Sequence, residues 1–414
     1  MSEDEPPLLH AFMGCGIELE YMIVDSDRLS VMPVADALLR EPDGTQENDI
    51  VRGRMGWSNE LVLHVLEVKN IRPSASLCLL PDAFQGEVQE INRRLQSLGA
   101  RLMPGAMHPW MDPCTETRLW PHGNEEIYSA YGRIFDSRSH GWANLQSMHI
   151  NLPFAGDEEF ARLHAAIRLA LPILPALAAS SPFADGHATG WMDFRMRVYC
   201  DNAAQFPSIA GLVIPETITS RTAYEDRILA PMYRDIAPHD PDKVLQHEWL
   251  NSRGAIARFD RNAIEIRVLD TQEHPRADLA VAAAVIDLVH RLYRAGTLVE
   301  QQEMPTAALA AILQDCIRDA ERAEIANAAY LRLLDFPGGR CTAGELWRHL
   351  IARMMAGDPR HVQHWAAPLQ TILAHGPLAR RILRAAGATP SQAQLHQVYR
   401  RLCDCLQTGQ PFLP

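Results

Sequence analysis

The chain contains no CxxC pair: its eight cysteines, at 15, 78, 114, 200, 316, 341, 403 and 405, are scattered over 414 residues. Zinc sites built on paired thiolates and a secreted disulfide framework are therefore not expected, and the thiols read as free. No apolar run of about 18 residues is without charge or proline, so no membrane-spanning helix is expected. The N-terminal MSEDEPPLLH is acidic where a secretion signal would be basic, which leaves the cytoplasm as the expected compartment. Basic residues are in deficit, 39 Lys and Arg against 51 Asp and Glu, and a formal net charge of −12 provides no dominant basic surface for a phosphate backbone. The expected partner is a small molecule, with no nucleic acid and no membrane. There is no GxxxxGK[ST] loop and no GxGxxG, so neither a P-loop nor a Rossmann nucleotide site is supported. Internal repeats and low-complexity tracts are also missing.

What is present is core-forming material. Hydrophobic residues make up 47% and charged residues 22%, with 24 Gly and 28 Pro, the composition of a globular protein able to fold on its own. The length exceeds the roughly 100–200 residues of an ordinary domain and points to two closely joined units. These are a catalytic part over 1–299 and a helical extension over 300–414.

Strands are expected over 13–24 and over WSNELVLHVLEVKN at 57–70, joined by the loop REPDGTQEND. Phe84, Val88, Ile91, Leu95 and Leu98 form the stripe of an amphipathic helix that Gly99 ends. Residues 101–153 are turn-rich and hold Trp110, Trp120 and Trp142, an unusual density for simple connection and compatible with a substrate-lining loop. A long helix begins at Asp157, with Pro172 and Pro175 predicting a kink or break. WMDFRMRVY at 191–199 and AIARFDRNAIEIRVLD at 255–270 read as strands, and 278–296 as a helix. The C-terminal part is helical, and its last helix carries a capping box at Ser391 and Gln394 with Gly409 as terminator. The fold class expected is α+β: a mostly antiparallel sheet covered by helices, then a helical C-terminal part.

Polar groups interrupt the apolar strands in a repeated way. In GIELEYMIVD, Glu18 and Glu20 share one face while Ile17, Leu19 and Tyr21 share the other. Glu60, Glu67, His149 and Glu265, with Arg267 two residues on, add carboxylate or imidazole from further strands. Singly, each acid reads better as a solvated face or an ordinary ion pair than as part of a site. Together they point to one shared site, and carboxylates with one imidazole suit Mg²⁺ or Mn²⁺ better than zinc. Glu60 and Glu67 are seven apart, so both reach one site only if a bulge intervenes or the strand starts after Glu60.

GIELEYMIVD, HIN at 149–151, SSPFADGHATGWMDFRMRVY at 180–199 and IEIRVLDTQ at 264–272 occur in that order. Taken as a set, over about residues 13–295, they resemble the glutamate-cysteine ligase family, particularly its bacterial carboxylate-amine ligase branch. The resemblance implies a glutamine synthetase-like fold, a curved antiparallel sheet forming a funnel in which ATP, Mg²⁺ (or Mn²⁺) and an amino acid meet. It implies Glu18, Glu20, Glu60, Glu67 and Glu265 as metal ligands, and His149 and Arg267 as nucleotide-binding and catalytic groups. Arg195 would hold the acidic substrate, with Arg197 beside it on the same strand face, and His108 in MHPW is a further candidate lining residue. The implied partners are glutamate or a similar acidic amino acid, ATP and a small amine, cysteine being the family default. Two other classes stay open: an inactive nucleotide- or amino-acid-binding relative, and a metal-dependent amide hydrolase. The 101–148 segment and the C-terminal helices match no family block, and the latter either cover the sheet or build a homo-oligomer.

Overall fold

The computed structural model describes residues 8–41 and 43–414. Eight strands make the main sheet: β1 (Gly16–Asp25), β2 (Asp49–Arg52), β3 (Met55–Asn59), β4 (Val65–Asn70), β5 (Ala100–Met103), β6 (Ser147–Pro153), β7 (Ala255–Arg258) and β8 (Ala263–Asp270). Their order is β2-β3-β4-β1-β6-β8-β7, with β5 paired to the far end of β1, and the pairings are antiparallel. β1 is central because alternate residues are strongly apolar: Ile17, Leu19, Tyr21 and Ile23 are fully buried in the main core. Glu18 and Glu20 are thereby turned to the opposite face, as the two-residue period requires.

Helices cover the apolar face. In the helix Pro81–Leu95, Phe84, Val88, Ile91 and Leu95 are buried as their spacing predicts. Leu98 is not: the chain tightens into a 3₁₀ turn over Gln96–Leu98, and Gly99, at φ +67°, ends the helix in the left-handed region. The helix Gly156–Ala170 passes through a 3₁₀ turn at Leu171–Ile173 into Leu174–Ala178, so the prolines break it as expected. The whole run Gly156–Ala178 is long and apolar enough to cross a membrane, yet 89% of its most apolar window is buried inside the protein. The helix Pro275–Arg294 crosses beside it.

The C-terminal helices Thr306–Asp319, Ala343–Gly357 and Pro359–His375 bury Leu309, Trp347 and Trp365 in the same apolar cluster as Ile17 and Leu19. The last helix, Gln392–Thr408, packs against β5 and the helix Pro81–Leu95, and its capping box is formed, Ser391 N–H donating to Gln394 Oε1 at 2.8 Å.

Two sequence expectations are corrected. The stretch 57–70 is a strand pair rather than one strand: β3 ends at Asn59 and β4 starts at Val65. The run WMDFRMRVY is a helix, Phe194–Tyr199, rather than a strand. Its apolar and basic residues alternate, but Asp193 Oδ1 accepts from the Met196 amide at 2.9 Å, and that cap turns the backbone into a helix.

Phe84→Ala is expected to lower unfolding free energy by about 3–5 kcal/mol in urea titration, because it opens a cavity in the core. Ser391→Ala, which removes only a cap, is expected to cost about 1 kcal/mol in the same measurement.

Candidate active site

Register brings the acids together. On β1, Glu18 lies opposite Lys69 of β4 and His149 of β6, and Glu20 lies opposite Glu67. Glu265 of β8 pairs with Asn151 of β6, so residues at even spacing on four neighbouring strands share one face. Glu60 sits in the connection after β3 rather than on a strand, which frees it from the parity that separates it from Glu67. Among the described residues two ligand groups result, Glu18 with Glu67 and His149, and Glu20 with Glu60 and Glu67; in each, one ligand atom from every residue lies within 4.8 Å of the others.

Short hydrogen bonds fix these side chains. Glu18 Oε2 is 2.9 Å from His149 Nδ1, and Glu18 Oε1 accepts from Asn151 at 3.2 Å. Glu20 Oε2 accepts from the Ser147 amide at 2.6 Å and its hydroxyl at 3.0 Å, and that hydroxyl also lies 2.9 Å from His149 Nε2. Ser58 donates to Glu67 Oε1 at 2.7 Å, and Lys69 Nζ approaches the same oxygen to 3.2 Å. Arg267 Nε is an ion-pair distance of 2.9 Å from Glu265 Oε1 without the alignment of a hydrogen bond, and Arg258 is 3.6 Å from the other oxygen.

The proton affinities follow from this crowding. Burial raises the Glu18 carboxyl, but the His149 hydrogen bond and the charges of His149, Lys69 and Arg261 outweigh it and hold Glu18 at about 2. Glu67 is pushed up to about 7 by burial and the charge of Glu18, against the opposing pull of Lys69. Glu60 is held well above the usual carboxylate range by burial and by Glu20 and Glu67. Burial lowers His149, yet its bond to Glu18 and the charges of Glu20 and Glu265 carry it up to about 9.

A cavity of about 210 Å³ opens onto this face. Glu20, Glu60, His149, Arg195 and Arg267 line it, together with Tyr128, Tyr131, Tyr199, Trp142 and Trp249. Tyr131 packs its ring 5.1 Å from Trp142 and 5.9 Å from Trp249, forming a continuous aromatic wall. Glu18, Glu67 and Glu265 do not line the cavity but touch the residues that do.

A family assignment follows from the whole sequence rather than from this geometry. The sequence profile of glutamate-cysteine ligase family 2 matches residues 14–404. The chain belongs to that family. Membership places it among ATP-dependent ligases of the glutamate-cysteine ligase type, and the match runs through the C-terminal helices, beyond the stretch over which the motifs carry the resemblance. An uncharacterised protein of Archaeoglobus fulgidus is 34% identical over 303 residues, 73% of this chain and 79% of its own length. A Rubrobacter xylanophilus protein provisionally named glutamate–cysteine ligase 2-3 is 26% identical over 193 residues, 44% of this chain and 47% of its own length. A Bradyrhizobium diazoefficiens protein provisionally named glutamate–cysteine ligase 2 is 23% identical over 287 residues, 67% and 59%. The chain thus spans about half to three-fifths of the length of these two named relatives.

Among solved structures, the glutamate–cysteine ligase of Francisella tularensis, in complex with AMP, superposes with a TM-score of 0.59 at 11% identity over 95% of this chain and 89% of its own. The bifunctional glutathione synthetase of Pasteurella multocida gives 0.58 at 14% identity over 95% and 52%. These likenesses are of fold, and they agree with the α+β class expected from sequence.

Not every residue singled out in the sequence lies at the cavity. His108 is fully buried elsewhere, with Nε2 2.7 Å from the Leu29 carbonyl and its amide bonded to Asn144, so it braces loops instead of lining the cavity. Arg197 pairs with Asp201 and lies over the Trp191 ring; on a helix it cannot share a face with Arg195 two residues earlier. Of the three tryptophans, only Trp142 reaches the cavity, because Trp120 bonds Asn48 in the core and Trp110 packs against Tyr399. Lys69 joins the site as well; it is one of only two lysines in the chain and stands two residues after Glu67, a signal present in the sequence. The cavity residues Tyr128, Tyr131, Tyr199 and Trp249 had no separate signal.

The shifted groups set a pH dependence for the metal-free protein. Glu67 and His149 are both raised, so the stability each contributes is present below its ordinary value of 4.5 or 6.5 and is lost as pH rises through about 7 and about 9. Glu18 is lowered, so its contribution is lost only as pH falls from 4.5 through about 2. In chelator, the unfolding free energy from urea titration is expected to fall from pH 5 to pH 9, by about 3 kcal/mol at most for each raised group, and the midpoint falls with it. Added Mg²⁺ is expected to flatten that decline. A midpoint that rises over the same range contradicts the assignment of charges.

Proposed function

We propose that the protein is an ATP- and Mg²⁺-dependent carboxylate–amine ligase that activates the γ-carboxylate of glutamate as an acyl phosphate and couples it to an amine, cysteine or another amino compound. The observation that carries this reading is the pair of ligand groups, Glu18–Glu67–His149 and Glu20–Glu60–Glu67, on the floor beneath a cavity that also holds two arginines. The donor set fits: hard carboxylate oxygens with one imidazole match Mg²⁺ or Mn²⁺, and burial together with neighbouring carboxylates makes Glu60 and Glu67 hold their protons unusually firmly. Ions bound there would neutralise phosphoryl oxygens during transfer.

The chain's own residues have distinct parts in that chemistry. A carboxylate is a poor electrophile, so oxygen must first be converted into a leaving group by taking the terminal phosphoryl of ATP, with ADP departing. Amine attack then forms the amide and releases phosphate. Phosphoryl transfer depends chiefly on positioning and charge neutralisation, and Arg267, held by Glu265, offers its guanidinium to the cavity for that purpose. Arg195 offers a second, planar cation to the substrate's carboxylate. Tyr131, Trp142 and Trp249 exclude water from that side, which protects an acyl phosphate from hydrolysis.

The test is incubation of the pure protein with Mg-ATP, glutamate and a panel of amines, following ADP, phosphate and product mass. Amine-dependent ADP release with a condensed product is expected. No turnover with any combination, or amide cleavage without ATP, overturns the reading. Glu18→Gln and Glu265→Gln are each expected to lower turnover by about 100-fold or more while circular dichroism stays that of the wild type.

A further inference from the structure

Arg195 is held by acids that the chemistry above leaves unused. Its Nε donates to Asp270 Oδ1 at 2.5 Å and its Nη2 to the Arg267 carbonyl at 3.3 Å, while Nη1 bonds no group among the described residues, on a side chain that lines the cavity. Asp270 Oδ2 accepts from the Ser180 amide at 2.7 Å and from the Ser181 hydroxyl at 2.9 Å. Asp193 bridges through the backbone to Ser181, the residue whose hydroxyl Asp270 accepts, and its Oδ1 caps the helix that carries Arg195. Both carboxyl groups are wholly inaccessible to solvent.

Of the four carboxyl oxygens, three already accept a donor and Asp193 Oδ2 accepts none among the described residues. Two ionised acids against one guanidinium would leave a surplus negative charge in a dry interior, a costly arrangement. One proton removes the surplus. The unmatched oxygen is the place for it, because an O–H there becomes the donor that Asp270 can receive. Burial and the neighbouring Asp270 charge also push the Asp193 carboxyl far up, in the same sense.

We propose that Asp193 and Asp270 form a single carboxylic acid–carboxylate pair, with the proton on Asp193 Oδ2, and that this pair is the positioning device that aims Arg195 at the substrate's carboxylate. The aiming half rests on the ligase reading; the shared proton does not.

Asn at 193 supplies an N–H where the acid supplies an O–H, and it caps a helix as well as Asp does. Asp193→Asn is therefore expected to keep the KM for glutamate within about twofold of the wild type, whereas Asp193→Ala raises it by about tenfold with the KM for ATP unmoved. At neutral pH the infrared difference spectrum, wild type minus Asp193→Asn, is expected to show the carbonyl stretch of an un-ionised carboxyl group. Absence of that band, equal damage by Asn and Ala, or parallel rises in both KM values overturns the proposal. Should the wild type show no glutamate-dependent turnover, the ligase reading fails on its own. The pair is then decided by the infrared band and by unfolding midpoints, Asn matching the wild type and Ala falling below it.

Discussion

Like charge crowded onto one face of a sheet is the constraint around which this protein is organised. Glu18, Glu20, Glu67 and Glu265 project from three strands of the sheet, β1, β4 and β8, and Glu60 joins them from a connection. Lys69, His149, Arg258 and Arg267 offset part of that charge. Such a cluster is tolerable only if its geometry is enforced from elsewhere, and the opposite face does so. Ile17, Leu19, Tyr21 and Ile23 anchor β1 in the main core, and helices from both ends of the chain close over it. Burial on one side thus holds in place an arrangement that electrostatics alone would disperse.

Much of this was legible in the sequence, and for identifiable reasons. A strand with acids at 18 and 20 and apolar residues between them has only one way to pack, so the site's first wall followed from period two alone. The helix Pro81–Leu95 was equally clear from its stripe, and Pro275–Arg294 from the run at 278–296 that a glycine stops. The helix Phe194–Tyr199 was misread because Phe194, Met196 and Val198 alternate with Arg195 and Arg197, a pattern a strand satisfies as well as one short helical turn; the cap at Asp193 decides between them. His108 could not be placed because its partner, the Leu29 carbonyl, is a backbone group that no side-chain pattern reveals. Lys69 was readable from rarity and parity, whereas the aromatic wall comes from loops and helices whose approach to one another is a tertiary fact.

The site divides its labour between regular and irregular structure. Strands supply Glu18, Glu20, Glu67, Glu265, His149 and Arg267, where register fixes distances to within the reach of one ion. Tyr131 comes from a helix, and Trp142 and Trp249 from short turns, so this wall can change without disturbing the sheet.

One irregularity in β8 has a wider meaning. Ile266 pairs with Ile150 but Leu269 pairs with Met148, so the strand carries one residue more than its partner. That extra residue turns Asp270 to the face of Glu265, from which an unbroken strand would have hidden it, five positions being an odd step. In a sheet enzyme, two polar side chains that act in the same cavity from the same strand normally stand at even separations. An odd separation between two such residues is therefore itself a message, written in the primary structure, that an insertion lies between them. Comparing parity along aligned chains would locate bulges of this kind before any coordinates exist.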